Sequence, residues 1–140
     1  MVITAVVTGA AAWWLTSHHQ KPHNCGAVRA MINYNKSQGQ AFAHAFDPDK
    51  GAQPSIADYQ QWADHIRDYT ASISDPALAP HAHKLADEAQ QFVAFMTRVR
   101  NTSDEHEDPL APPPWVQTYV DMNRQFNAEL AALDKACPVG

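Results

Sequence analysis

The side chains in this 140-residue chain whose types suit chemistry are eight histidines, two cysteines and fifteen carboxylates. Spacing decides what they can do together. His81 and His83 are two apart, which on a helix points them about 200° apart, so they share an ion only in an extended turn after Pro80. His106 stands among Asp104, Glu105, Glu107 and Asp108, the composition of a weak divalent-cation site and equally of a solvated acidic loop. His18, His19 and His23 form a loose cluster, while His44 and His65 stand alone on separate stretches. The paired i, i+4 ligands of a helical metal site are missing, so no metal is expected. A di-iron bundle needs Glu-x-x-His on two of its helices, and no Glu here is followed three residues later by a His. Nucleophile elbows, phosphate loops and dinucleotide fingerprints are also missing. The expectation is a protein with no catalytic residues and no cofactor, hence not an enzyme.

The cysteines are Cys25 and Cys137. They make neither a CxxC motif nor a zinc set, which leaves one structural disulfide or two free thiols. A disulfide would place the body in an oxidising compartment. The choice depends on the elements that carry them.

Those elements are helices. Val28, Ile32, Asn35, Gly39, Phe42 and Phe46 alternate fours and threes, one stripe of a first helix over 25–46. Asp47-Pro48-Asp49 and Lys50-Gly51 end it. Ser55, with Asp58 three residues on, opens a second helix as a loose capping box. Its stripe runs through Ile56, Tyr59, Trp62 or Ala63, Ile66, Tyr69 and Ile73. Asp75 is placed to cap a third helix with Pro76 at its first position. Pro80 would delay the regular ladder to about His81. Leu78, Ala82, Leu85, Ala89, Phe92, Met96 and Val99 mark its buried side. Residues 101–114 are irregular, and Pro112-Pro113-Pro114 reads as a stiff spacer. A fourth helix carries Trp115, Tyr119, Met122, Phe126, Leu130, Leu133 and Cys137. No segment shows the period-two alternation of a half-buried strand.

The fold class is therefore all-α. Four amphipathic helices with short connections pack most simply as an antiparallel up-down-up-down four-helix bundle, here with an additional N-terminal apolar helix. That topology brings the start of the first helix to the end of the fourth, where Cys25 and Cys137 fall, so a disulfide between them is expected. In the chain-entropy model it adds about 4–5 kcal/mol. The same antiparallel register sets Asn35 against Asn127, two amides able to satisfy each other away from water. Gly39 costs about 1 kcal/mol of helix propensity and marks either a close helix approach or a weak point. Tyr59, Trp62, Tyr69, Phe92, Trp115 and Phe126 suit a lipid-sized groove or, more commonly, a core.

Residues 2–15 carry no charge and end in Trp13 and Trp14, followed by a polar run. An aromatic pair there suits a membrane–water interface. Fourteen helical residues reach only about 21 Å, short of the ~30 Å hydrocarbon layer. Ala10 and Ala12 allow a signal-like reading, and a helix buried in the protein's own core is the third possibility. The expected division is an anchor helix over 1–20 and a bundle domain over 21–140.

A net charge of −5 with ten Lys and Arg argues against nucleic acid. The Ala, Asp, Arg and His usage resembles that of a high-GC bacterial genome. Together these features lead to one expectation, a membrane-anchored helical protein with its bundle on the extracytoplasmic side. It would act through a protein partner, as an accessory subunit or assembly factor. The alternative is a bundle that binds an apolar small molecule or lipid.

Overall fold

The structure is a computed structural model and describes residues 24–102 and 110–139. The apolar segment 1–20, the residues His18, His19 and His23, and the acidic run around His106 lie outside the described residues. The described residues form four helices and no strand. These are α1 (Cys25–Ala45), α2 (Ile56–Ala71), α3 (Ala79–Asn101) and α4 (Trp115–Ala136). None of them is long and apolar enough to cross a membrane.

Local chemistry sets each boundary. Asn24 adopts a left-handed conformation (φ 71°), which asparagine tolerates better than most residues. Its side-chain oxygen accepts from the backbone N–H groups of Ser74 (3.0 Å) and Asp75 (3.2 Å). The start of α1 is thereby fastened to the α2–α3 turn. After α1, Asp47 and Ala52 exchange two backbone hydrogen bonds of 2.9 Å around a tight reversal. Gly51 sits at φ 65° in that reversal, where a side chain would be strained. Ser55 and Asp58 form a complete capping box at the start of α2. The Ser55 hydroxyl beside Asp58 holds its carboxyl below its ordinary value.

The start of α3 differs from expectation. Asp75 does cap, but it caps a turn: its carboxylate accepts from Ala77 N–H (2.8 Å) and its carbonyl from Ala79 N–H (2.8 Å). Pro80 has no N–H to continue that ladder, so the regular helix starts at Ala79 with Pro80 in its first turn.

The helices meet in a ring, α1 with α2, α2 with α3, α3 with α4, and α4 with α1. The α2–α3 seam is the most extensive and the α1–α4 seam the least. Alanines at 63, 82 and 89, all fully buried, let α2 and α3 approach closely. The dense core lies toward one end, where Val28, Met31, Ile66, Leu78, Leu85 and Leu133 have no exposed surface. Burying a side chain such as Ile66 contributes about 1.5–3 kcal/mol. At that end the Cys25–Cys137 disulfide joins α1 to the end of α4, with Cα atoms 5.3 Å apart. Beside it Arg29 donates to the Asp134 carboxylate (2.6 Å) and to its backbone carbonyl (3.0 Å).

Candidate functional site

Beyond that clamped end α1 and α4 part, and a cavity of about 520 Å³ opens between them. Ligand pockets typically span about 300–1,000 Å³. Asn35, Gly39, Phe42 and Phe46 line one wall, and Tyr119, Met122, Asn123, Phe126 and Asn127 the other. Tyr59 and Trp62 from α2 and Glu88 and Phe92 from α3 close the back. The aromatic rings brace one another, edge-on except for the tilted Trp62–Phe126 pair. Tyr59 meets Phe42 (4.9 Å between centroids) and Phe92 (5.6 Å), while Trp62 meets Phe92 (6.0 Å) and Phe126 (5.4 Å). At the far end the Arg100 guanidinium lies 5.7 Å over the Tyr59 ring and donates to the Pro54 carbonyl.

Of the six aromatics that suited a groove or a core, Tyr59, Trp62, Phe92 and Phe126 line this cavity, and they pack on the core as well, with Trp62 buried in it. Tyr69 packs elsewhere, on Tyr34. Gly39 is not a point of close approach, since a Cβ there would meet nothing within 4 Å. Asn35 and Asn127 both line the cavity, yet no hydrogen bond joins them among the described residues. Asn35 instead accepts from the Trp62 indole N–H at 3.0 Å. The register argument placed the two amides on facing walls but overlooked a donor on the adjacent helix α2.

Polarity along the cavity is uneven. Asn35 lies ten residues from Cys25, and Asn127 ten from Cys137, about 15 Å from the disulfide in either helix. Glu88, one turn beyond Lys84, belongs to this inner end. Phe46 and Tyr119 belong to the outer end and are 59 % and 37 % exposed. The inner end sets the amides of Asn35 and Asn127 among the Trp62 and Phe126 rings, and the outer end is aromatic.

Glu88 is the side chain the sequence did not single out. It is 9 % exposed, and among the described residues neither carboxylate oxygen has a hydrogen-bond partner. Burial pushes its carboxyl above the ordinary carboxylate value, against the pull of Lys84. Lys84 stands 3.8 Å from Glu88 but makes its short contact, 2.5 Å, with Glu129. Glu129 also pairs with His81 at 2.6 Å, and both neighbours hold its carboxyl below its ordinary value. His65 contacts the Gln61 carbonyl (2.8 Å) and the Tyr34 ring. No three His, Cys, Asp or Glu side chains converge as metal ligands among the described residues.

No family model, curated protein or solved structure matches this chain in comparison. Any functional reading therefore starts from the cavity itself.

Proposed function

We propose that this chain is a binding protein that holds an apolar small molecule or lipid chain between α1 and α4, without catalysis. The single observation that carries the reading is the 520 Å³ aromatic-lined cavity at the least extensive seam of the bundle. The cleft leaves the braced aromatic walls facing water, and an apolar occupant would cover that surface. Native mass spectrometry of gently purified protein tests it, with a co-purifying ligand mass expected. A ligand-free spectrum together with no calorimetric uptake of decanol would overturn it.

The helix course we infer is up-down-up-down and antiparallel. In support, residue numbers fall along one helix as they rise along its neighbour. Asn35 contacts Trp62 and Phe42 contacts Tyr59; His81 contacts Glu129 and Phe92 contacts Tyr119; Cys25 joins Cys137 and Arg29 joins Asp134. For location we propose an extracytoplasmic bundle (21–140) tethered to a membrane by an additional apolar helix over 1–20. The uncharged stretch 2–15 with its tryptophan pair and the disulfide support that placement. A second reading, attachment to a protein partner as an accessory subunit or assembly factor, has support in exposed Phe46, Tyr119 and Val120. A stable heterologous complex recovered by crosslinking at Phe46, lost on Phe46→Ser, is the result that would favour it.

A further inference from the structure

The walls of the cavity decide which head group an apolar occupant can carry. Among the described residues that line it, only Glu88 is of a charged type. Both Glu88 carboxylate oxygens are buried away from the cavity, and burial favours the uncharged carboxyl. The nearest cations are engaged elsewhere, Lys84 on Glu129 and Arg100 on the Pro54 carbonyl and the Tyr59 ring. An ionised head drawn into this cleft would leave water and meet no opposite charge, which is costly.

Three amides supply what charge does not. Asn35 spends its oxygen on the Trp62 indole and keeps its amide N–H groups. Half-buried Asn123 spends one N–H on the Tyr119 carbonyl and keeps the other, together with its oxygen. Asn127, one turn further in and exposed at the rim, has neither donors nor acceptor engaged among the described residues. An alcohol or a primary amide offers a donor and an acceptor without charge, the complement of this set. A charged head left in water at the outer mouth would instead set the methyl end of its chain against the amides. Size is compatible too: an apolar cavity of about 150 Å³ holds a benzene, so 520 Å³ has room for a ten-carbon chain.

We infer that the ligand is an uncharged amphiphile, a long-chain alcohol or primary amide, whose head bonds Asn123 and Asn127 and whose apolar chain runs out past Phe42 and Phe46. The inference rests on the binding reading above and goes beyond it by naming the head group and excluding fatty acids and amines.

Titration calorimetry on the delipidated full-length chain at neutral pH tests this with four ten-carbon probes below their solubility limits. These are decanol, decanoate, decylamine and methyl nonyl ether, an isomer of decanol without the hydroxyl donor. Decanol should bind at least tenfold tighter than decanoate and decylamine. Asn123→Leu combined with Asn127→Leu should weaken decanol roughly fivefold, the worth of about one neutral hydrogen bond, and leave the ether unchanged. Ether uptake doubles as the check that the variant is folded. Should it not fold, the ranking of decanol against the two charged probes on the natural chain decides alone. Decanoate or decylamine binding as tightly as decanol, or decanol affinity indifferent to the double substitution, overturns this inference while the binding reading stands. Uptake of none of the four overturns both.

Discussion

Reducing the Cys25–Cys137 bond should destabilise the bundle by about 5 kcal/mol. The two residues are 112 apart, and the chain-entropy relation gives about 4.7 kcal/mol for a 100-residue loop, rising slowly with length. Little is lost in the native state, because Cys137 is only 1 % exposed and a thiol packs in the same place as a small apolar group. The effect therefore belongs to the unfolded chain, which expands once the link is cut. With an unfolding entropy of about 2.1 cal/mol/K per residue over roughly 112 residues, the loss corresponds to a Tm lower by about 20 °C. Urea unfolding followed by tryptophan fluorescence, oxidised against reduced, measures it. Two signatures are expected together, a lower ΔG and a larger m-value, since the reduced unfolded state exposes more surface. A loss below about 2 kcal/mol with an unchanged m-value would refute the argument from loop entropy.

Three further outcomes follow from the cavity and its surroundings. Gly39→Ala should stabilise the protein by about 1 kcal/mol, read from the urea midpoint, because helix propensity improves and the new methyl meets open space. Asn35→Ala removes the acceptor of the Trp62 indole and should cost about 1 kcal/mol. A double-mutant cycle with Trp62→Phe should show that this cost is mostly coupling to Trp62. Lys84→Met should lower the Tm at neutral pH by an amount that fades on acidification. The Glu129 carboxyl is held below its ordinary value by Lys84 and His81, so that stability is present at neutral pH and lost as pH falls through the folded value. A Tm gap that stays constant from about pH 7 to about pH 2 would speak against this pairing.

Helix positions were legible where period and punctuation agree: Asp47-Pro48 follows the end of α1 and Ser55 with Asp58 starts α2, each for a stated steric or hydrogen-bonding reason, whereas Asp75-Pro76 makes a turn ahead of α3. The disulfide was legible because the topology brought two distant residues to one end. The cavity was not, since an apolar stripe reads the same whether it meets a partner or a cleft. Met31 is fully buried although it lies off the four–three stripe, whereas Phe46 on that stripe is largely exposed. The face of α1 turns with height, from core below to cavity above. Glu88 and Asn24 were missed for a related reason. A carboxylate on a helix is usually solvated, and a residue ahead of a helix usually caps it. Only the tertiary contacts bury the first and direct the second onto Ser74 and Asp75.

Because, among the described residues, the disulfide and the Arg29–Asp134 pair fasten α1 to α4 at one end, the two helices have the mechanics of tongs. Fraying, which normally starts at helix termini, is suppressed where the first and last helices are bonded together and is displaced to the opposite end. α1 has 21 residues, a lever arm of about 31 Å from hinge to tip. A rotation of roughly 5° about the hinge would carry Phe46 some 3 Å sideways (about 31 Å of arm times 0.09 radian), enough to admit a methylene chain. The hinge end, with Leu133, Met31 and Val28 closed around it, need not stir. For the binding role proposed above, entry and release would then be a property of the tip, and the lock that secures the fold would also direct where it opens.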